Sequence, residues 1–234
     1  IQNGTRMDGN RNDALGGGVY MTGSTLVVDG AETIIEGNKA TNGGGIYADT
    51  GSVLTIYNAS ISGNDVESGL GGGIYFNGEK LNVDNGAEIG KSDNGNKARL
   101  GAGVYIANGN VVVGNIDASG SGKATIGYNI ASENGGGVYF ETGALTIAGY
   151  AYIVGNKASK SGGGVYATQS FKMTGGEIGT TKSNEGNTAS FGGGVYAESG
   201  FTFTAGSIAG NKANATRSVG ESINGMGGGV YGLS

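Results

Sequence analysis

Apolar residues come along this chain in short alternating runs. The clearest is an apolar–polar–apolar triplet, seen at Leu54-Thr55-Ile56, Leu81-Asn82-Val83, Leu145-Thr146-Ile147, Phe171-Lys172-Met173 and Phe201-Thr202-Phe203. Leu26-Val27-Val28 and Val111-Val112-Val113 stand in the same place with a β-branched middle residue. A period of two with one apolar side predicts a half-buried strand. A second run precedes each triplet, a glycine-rich corner followed by Val or Ile, then Tyr, then Met21, Ala48, Phe76, Ile106, Phe140, Ala167 or Ala197. Both neighbours of each Tyr are small or apolar, so this strand is expected to bury the neighbours and turn the Tyr outward. A third run ends in Ile-x-Gly-Asn, as from Ile35 to Asn38, Ile61 to Asn64, Ile153 to Asn156 and Ile208 to Asn211. Ile126 and Asn129 keep that spacing with Tyr128 in place of the Gly, and insertions separate Ile89 from Asn96 and Ile178 from Asn187. Helical spacing is nowhere supported, because Leu is scarce and β-branched residues dominate.

These runs recur as a unit. Gly16-Gly17-Gly18-Val19-Tyr20 returns at Tyr47, Tyr75, Tyr105, Tyr139, Tyr166, Tyr196 and Tyr231, at intervals of 27, 28, 30, 34, 27, 30 and 35 residues. One copy deviates, with Ala102 as its middle residue. A period near thirty marks a stacked-repeat architecture. Three short strands per repeat predict an all-β chain: a right-handed parallel β-helix (β-solenoid) with about three short strands per coil and about eight coils. The handedness follows the rule for parallel crossovers. Residues 1–234 are expected to form a single repeat domain. At a strand spacing of ~4.8 Å, eight copies would make a rod on the order of 40 Å long. Neighbouring turns would stabilise one another.

Composition narrows the classes. Glycine accounts for 53 of 234 residues, but Pro is absent and the glycines cluster, which excludes a collagen-like chain. A net charge of −5 with scattered Lys and Arg makes nucleic acid a poor partner. No apolar run is long enough to span a bilayer. Cys, His and Trp are all absent, which removes disulfides, thiolate metal sites and the commonest general base. The chain opens at Ile1, part-way through a repeat, and is expected to be processed or part of a longer array.

Two rows of side chains stand out. Asn10, Asn38, Asn64, Asn96, Asn129, Asn156, Asn187 and Asn211 predict a structural Asn ladder, in which each amide bonds the copies above and below. Tyr20, Tyr47, Tyr75, Tyr105, Tyr139, Tyr166, Tyr196 and Tyr231 predict an outward aromatic ladder. Its first role is self-stabilisation; its second is a flat binding stripe. The glycine runs lack the following helix and Lys of a phosphate loop. Asp29 and Asp84, like Glu88 and Glu177, fall on turns that are not neighbours, so no acid pair converges with a base. No catalytic residue, metal site or cofactor is expected. After the ladder Asn come Lys39, Asp65, Lys97, Ile130, Lys157, Thr188 and Lys212; lysines on alternate turns avoid stacking like charges.

Ile61-Ser62-Gly63-Asn64, a short loop and Gly71-Gly72-Gly73-Ile74 resemble the repeat of polymorphic outer membrane proteins and related autotransporter passengers. That family carries Phe-x-x-Asn followed by Gly-Gly-Ala-Ile. The resemblance implies a parallel β-helix of the pectin-lyase-like superfamily, extracellular or on a bacterial cell surface, used for adhesion. The expected function is a non-enzymatic adhesin or structural fibre component. The alternative is a carbohydrate-active β-helix of the polysaccharide lyase or hydrolase kind, or a glycan-binding one. Expected partners are other copies of the chain, end to end or lateral, or a host or cell-surface glycan or protein. From Val230 the repeat would continue at Ile1 of a second copy after a gap of only a few residues, so end-to-end stacking is expected unless the loop from Asn214 to Met226 caps the end.

Overall fold

One turn, starting at Gly135, shows how the repeat folds in the computed structural model, which describes residues 1–114, 122–182, 185–214 and 227–233. Val138–Phe140 forms the first strand, Ala144–Ile147 the second and Ala151–Val154 the third. Each strand pairs in parallel with its equivalents one turn above and below. Val138, Tyr139 and Phe140 sit opposite Val104, Tyr105 and Ile106 on one side and Val165, Tyr166 and Ala167 on the other. Ile153 sits between Ile126 and Ile178. The chain is thus an all-β parallel β-solenoid. Among the described residues there is no helix long and apolar enough to cross a membrane.

Eight glycine–tyrosine corners form eight rungs, from Val19 to Val230. Eight rungs bound about seven turns, one fewer than the motif count suggests. A fourth strand also joins each turn in the middle of the rod. It is as short as two residues, at Lys157–Ala158 directly after the ladder Asn, reaches five at Ile130–Asn134, and belongs to a separate five-stranded parallel sheet. Two residues are too few to show a period in sequence. The expected loop from Asn214 to Met226 lies outside the described residues from 215 onward.

Inside the coil, apolar rows face one another. Ile35, Ile61, Ile89, Ile126, Ile153 and Ile178 are completely buried in one column. Val28, Ile56, Val83, Val113, Ile147 and Met173 complete another, and the residues flanking the tyrosines a third. Volume is traded within a turn: Phe140 goes with Leu145, whereas Ala167 goes with Phe171 and Ala197 with Phe201. A narrow core of constant width needs this, since interiors tolerate neither voids nor overlap. Each fully buried aliphatic contributes roughly 1.5–3 kcal/mol. Under the fourth strand, Val66, Ala98, Ala131, Ala158 and Ala189 make a second, thinner core with Ala102.

The glycine triplet solves two steric problems. Gly162, at φ +65°, turns the chain through the left-handed region that L side chains avoid. Gly164 sits where a Cβ would lie 2.6 Å from the Gly194 carbonyl oxygen and 3.0 Å from the Asn187 amide nitrogen. The last glycine therefore leaves room for the asparagine row.

Candidate binding face

The asparagine row runs up the interior. Each side-chain oxygen accepts two hydrogen bonds from the Asn one turn before it, one from the backbone N–H and one from the amide nitrogen. For Asn129 onto Asn156 both are 3.0 Å, as they are for Asn156 onto Asn187. The same fork joins Asn10 to Asn38 and, at the other end, Asn187 to Asn211. The second amide hydrogen goes to the carbonyl of the ladder Ile one turn back, from Asn156 to Ile126 at 2.8 Å and from Asn187 to Ile153 at 2.7 Å. The middle members of the row are completely buried. The buried middle of the row therefore has no side-chain polar atom left over to present to a ligand.

The tyrosines lie on the lateral surface. Val138 and Phe140 are buried in the core, and Tyr139 between them is outside it. In-register stacking brings successive rings to centroid distances between 4.4 Å (Tyr47 to Tyr75) and 5.6 Å (Tyr20 to Tyr47). The rings are nearly parallel from Tyr20 to Tyr231, and the largest tilt between neighbours is 11°, at Tyr139 and Tyr166. This changes the expected picture of a flat aromatic stripe. Each inner ring is covered on both faces by its neighbours, and Tyr47, Tyr105 and Tyr166 are buried, while Tyr20 at the end is 51 % exposed. The surface presents ring edges and hydroxyls instead of ring faces.

Acids grip those hydroxyls from the next turn. The Tyr105 hydroxyl donates to Glu141 at 2.5 Å, and that of Tyr166 donates to Glu198. Both acids stand two places after a ladder Tyr, in the slot also held by Thr22, Asp49, Asn77 and Thr168, and by the apolar Ala107 and Leu233. The repeat frame alone could have revealed this polar row, which sequence reasoning missed. Across the tyrosines from it, Asn134, Ser159, Ser161, Ser190 and Phe191 wall a groove of about 420 Å³. Lys160 and Arg99 share Glu133 on that side, at 3.2 and 3.6 Å.

Burial, and secondarily neighbouring phenols and carboxylates, suppress ionisation along the ladder. Tyr47, Tyr105, Tyr139, Tyr166 and Tyr196 are all pushed above the ordinary phenol value of 10.0. A raised phenol pKa stabilises the fold fully below the unfolded value and loses that contribution as pH climbs from 10.0 towards the folded value. The melting temperature is therefore expected to be flat up to about pH 10 and to fall steeply above it. Phenolate absorbance should appear together with loss of the β circular-dichroism signal. Ionisation of the ladder tyrosines near pH 10 in a chain that stays folded would contradict it.

On the third-strand row Thr125 and Tyr152 stand between Glu88 and Glu177, so the two acids do not meet. Asp29 and Asp84 flank Tyr57 in the same way. Among the described residues no group of three or more acids is placed to hold a metal ion. On the fourth-strand row Lys39 lies opposite Asp65, with Nζ 4.0 Å from the carboxylate, and Lys157 lies between Ile130 and Thr188.

Residues 32–49 match the Chlamydia polymorphic membrane protein repeat. The matched stretch runs from the third strand through Asn38 and the glycine triplet to Tyr47, which is the part of the turn built from the two ladders. Neither a curated protein nor a solved structure matches the chain.

Proposed function

We propose that this chain is a non-enzymatic β-solenoid of a bacterial cell surface or the extracellular space, acting as an adhesin or a structural fibre component. The observation that carries the reading is the polymorphic membrane protein repeat at residues 32–49, set in a rod that repeats the same rows on every rung. A parallel solenoid displays one kind of side chain at a fixed interval of about 4.8 Å, so a partner with several contact groups meets several copies at once. The tyrosine edges and the Asp49, Glu141 and Glu198 row supply hydroxyl donors and acceptors along one lateral face. A glycan or a protein strand lying along that face would use hydrogen bonds to these edges, because the ring faces are already taken by their neighbours.

The test is a pair of measurements on the purified chain. Saturable adhesion to a panel of cells and immobilised cell-surface glycans and proteins is expected, weakened at least tenfold by joint Glu141→Lys and Glu198→Lys substitution. No release of reducing or unsaturated sugar ends is expected from a polysaccharide panel. Turnover of any polysaccharide would replace the reading with the carbohydrate-active one. Absence of adhesion throughout the panel, with no filaments in electron micrographs, would overturn it.

A further inference from the structure

The repeat lengthens around the third strand at three places: residues 90–95 and 179–186, between the ladder Ile and the ladder Asn, and residues 114–125 ahead of Ile126. Insertions into a solenoid's repeats map to loops on one face, often the binding face. On this face, one residue breaks the rule of its slot. The position before the ladder Asn is glycine at Gly9, Gly37, Gly63, Gly95, Gly155, Gly186 and Gly210, but Tyr128 holds it before Asn129. Tyr128 keeps the left-handed backbone of Gly9, Gly37, Gly63, Gly155 and Gly210, at φ +60°. For a bulky side chain that conformation is a true outlier, and such outliers cluster where function requires them.

The ring of Tyr128 lies against the backbone of Gly155, where a Cβ would come within 2.6 Å of its Cδ1. A second phenol stands on the same turn as Gly155. Tyr152 donates its hydroxyl to Glu185 Oε2 at 3.4 Å. Glu185 is held over this place by its carbonyl, which accepts the Gly155 N–H at 2.8 Å. The ammonium of Lys123 sits 4.1 Å from the centre of the Tyr152 ring. Two phenols, one carboxylate and a cation over a ring face thus meet beside two of the insertions. The carboxylate and Tyr152 also hold the Tyr128 phenol above its ordinary pKa, after burial.

We propose that Tyr128, Tyr152 and Glu185 form a recognition site for an alkylammonium group, which Lys123 fills in the free chain. A cation is drawn to an aromatic face by the ring quadrupole, and a carboxylate at the rim adds direct attraction. Lys123 is exposed, so a ligand ammonium can take its place. This site is separate from the tyrosine ladder and does not depend on the adhesin reading.

The test is a nuclear magnetic resonance titration of the whole chain with choline and, separately, with its uncharged carbon analogue 3,3-dimethylbutan-1-ol. Choline is expected to shift the amides of Gly155 and Glu185 saturably, with a dissociation constant on the order of 1 mM. The neutral analogue should bind roughly tenfold more weakly. Lys123→Ala should tighten choline binding several-fold, and Glu185→Gln and Tyr152→Leu should each weaken it about tenfold. If Tyr152→Leu fails to fold, Glu185→Gln decides between the outcomes alone. Tyr128→Gly should weaken binding while melting no lower than the parent, because it restores the glycine of the slot; a purely structural ring would lower the melting point instead. Equal binding of the two probes, or no saturable shift in the Lys123→Ala chain, would overturn the proposal.

Discussion

Ile153→Asp is expected to abolish the cooperative thermal transition. Ile153 is completely buried between Ile126 and Ile178, in a column with no polar partner for a carboxylate. A buried charge without a partner, together with the lost side chain, costs at least about 4–5 kcal/mol, against a total stability of roughly 5–15 kcal/mol for a domain. Because each turn contacts only its neighbours, the damage divides the rod. Turns on either side of the mutated rung should lose their mutual support, and hydrogen exchange should accelerate first around Ala151–Val154. Circular dichroism and exchange on the same sample read both effects. A melting curve like that of the parent would show that Ile153 does not face the core.

Asn156→Leu is the second large effect, and its cause is different. The volume is nearly kept and apolar surface is gained, yet four side-chain hydrogen bonds vanish in a completely buried place. Asn129 loses the acceptor for both its backbone N–H and its amide, and the Ile126 carbonyl loses its amide donor. Leaving such groups unpaired costs about 1–3 kcal/mol each, so destabilisation of about 3–5 kcal/mol is expected after partial relaxation. Urea titration measures it. A change below about 1 kcal/mol would mean that the ladder bonds are replaceable and that the row is held by backbone pairing alone.

The rows themselves were legible in the sequence because every slot is sampled seven or eight times. A single Ile or Asn says little, but Ile35, Ile61, Ile89, Ile126 and Ile153 at one place in successive repeats average out local accidents. The fourth strand was not legible: Lys157–Ala158 is too short to alternate, and it pairs only because the third strand has already brought Asn129 and Asn156 into line. The acids that meet the tyrosines lay in a repeat slot that mixes Thr, Asp, Asn and Glu, so composition hid them. Tyr128 was visible as a missing glycine; its left-handed backbone and its company of Tyr152, Glu185 and Lys123 were not.

By itself, then, the sequence determined which side of each strand a residue occupies. Period-two alternation around Tyr139 and around Thr146 needs only local backbone geometry, so the parallel β-solenoid, its apolar columns and the positions of its two ladders could be read directly. Only the tertiary structure decided how the rows meet. The rise from one turn to the next is set by backbone hydrogen bonds between residues about thirty positions apart. That rise suits the centroid spacing of offset-stacked aromatic rings, so the tyrosines cover one another's faces and offer their edges. It also matches the reach of an asparagine side chain, so one oxygen can take two donors from the turn before. Tyr105 finds Glu141 and Tyr152 finds Glu185 for the same reason: winding makes neighbours of residues that the chain keeps far apart.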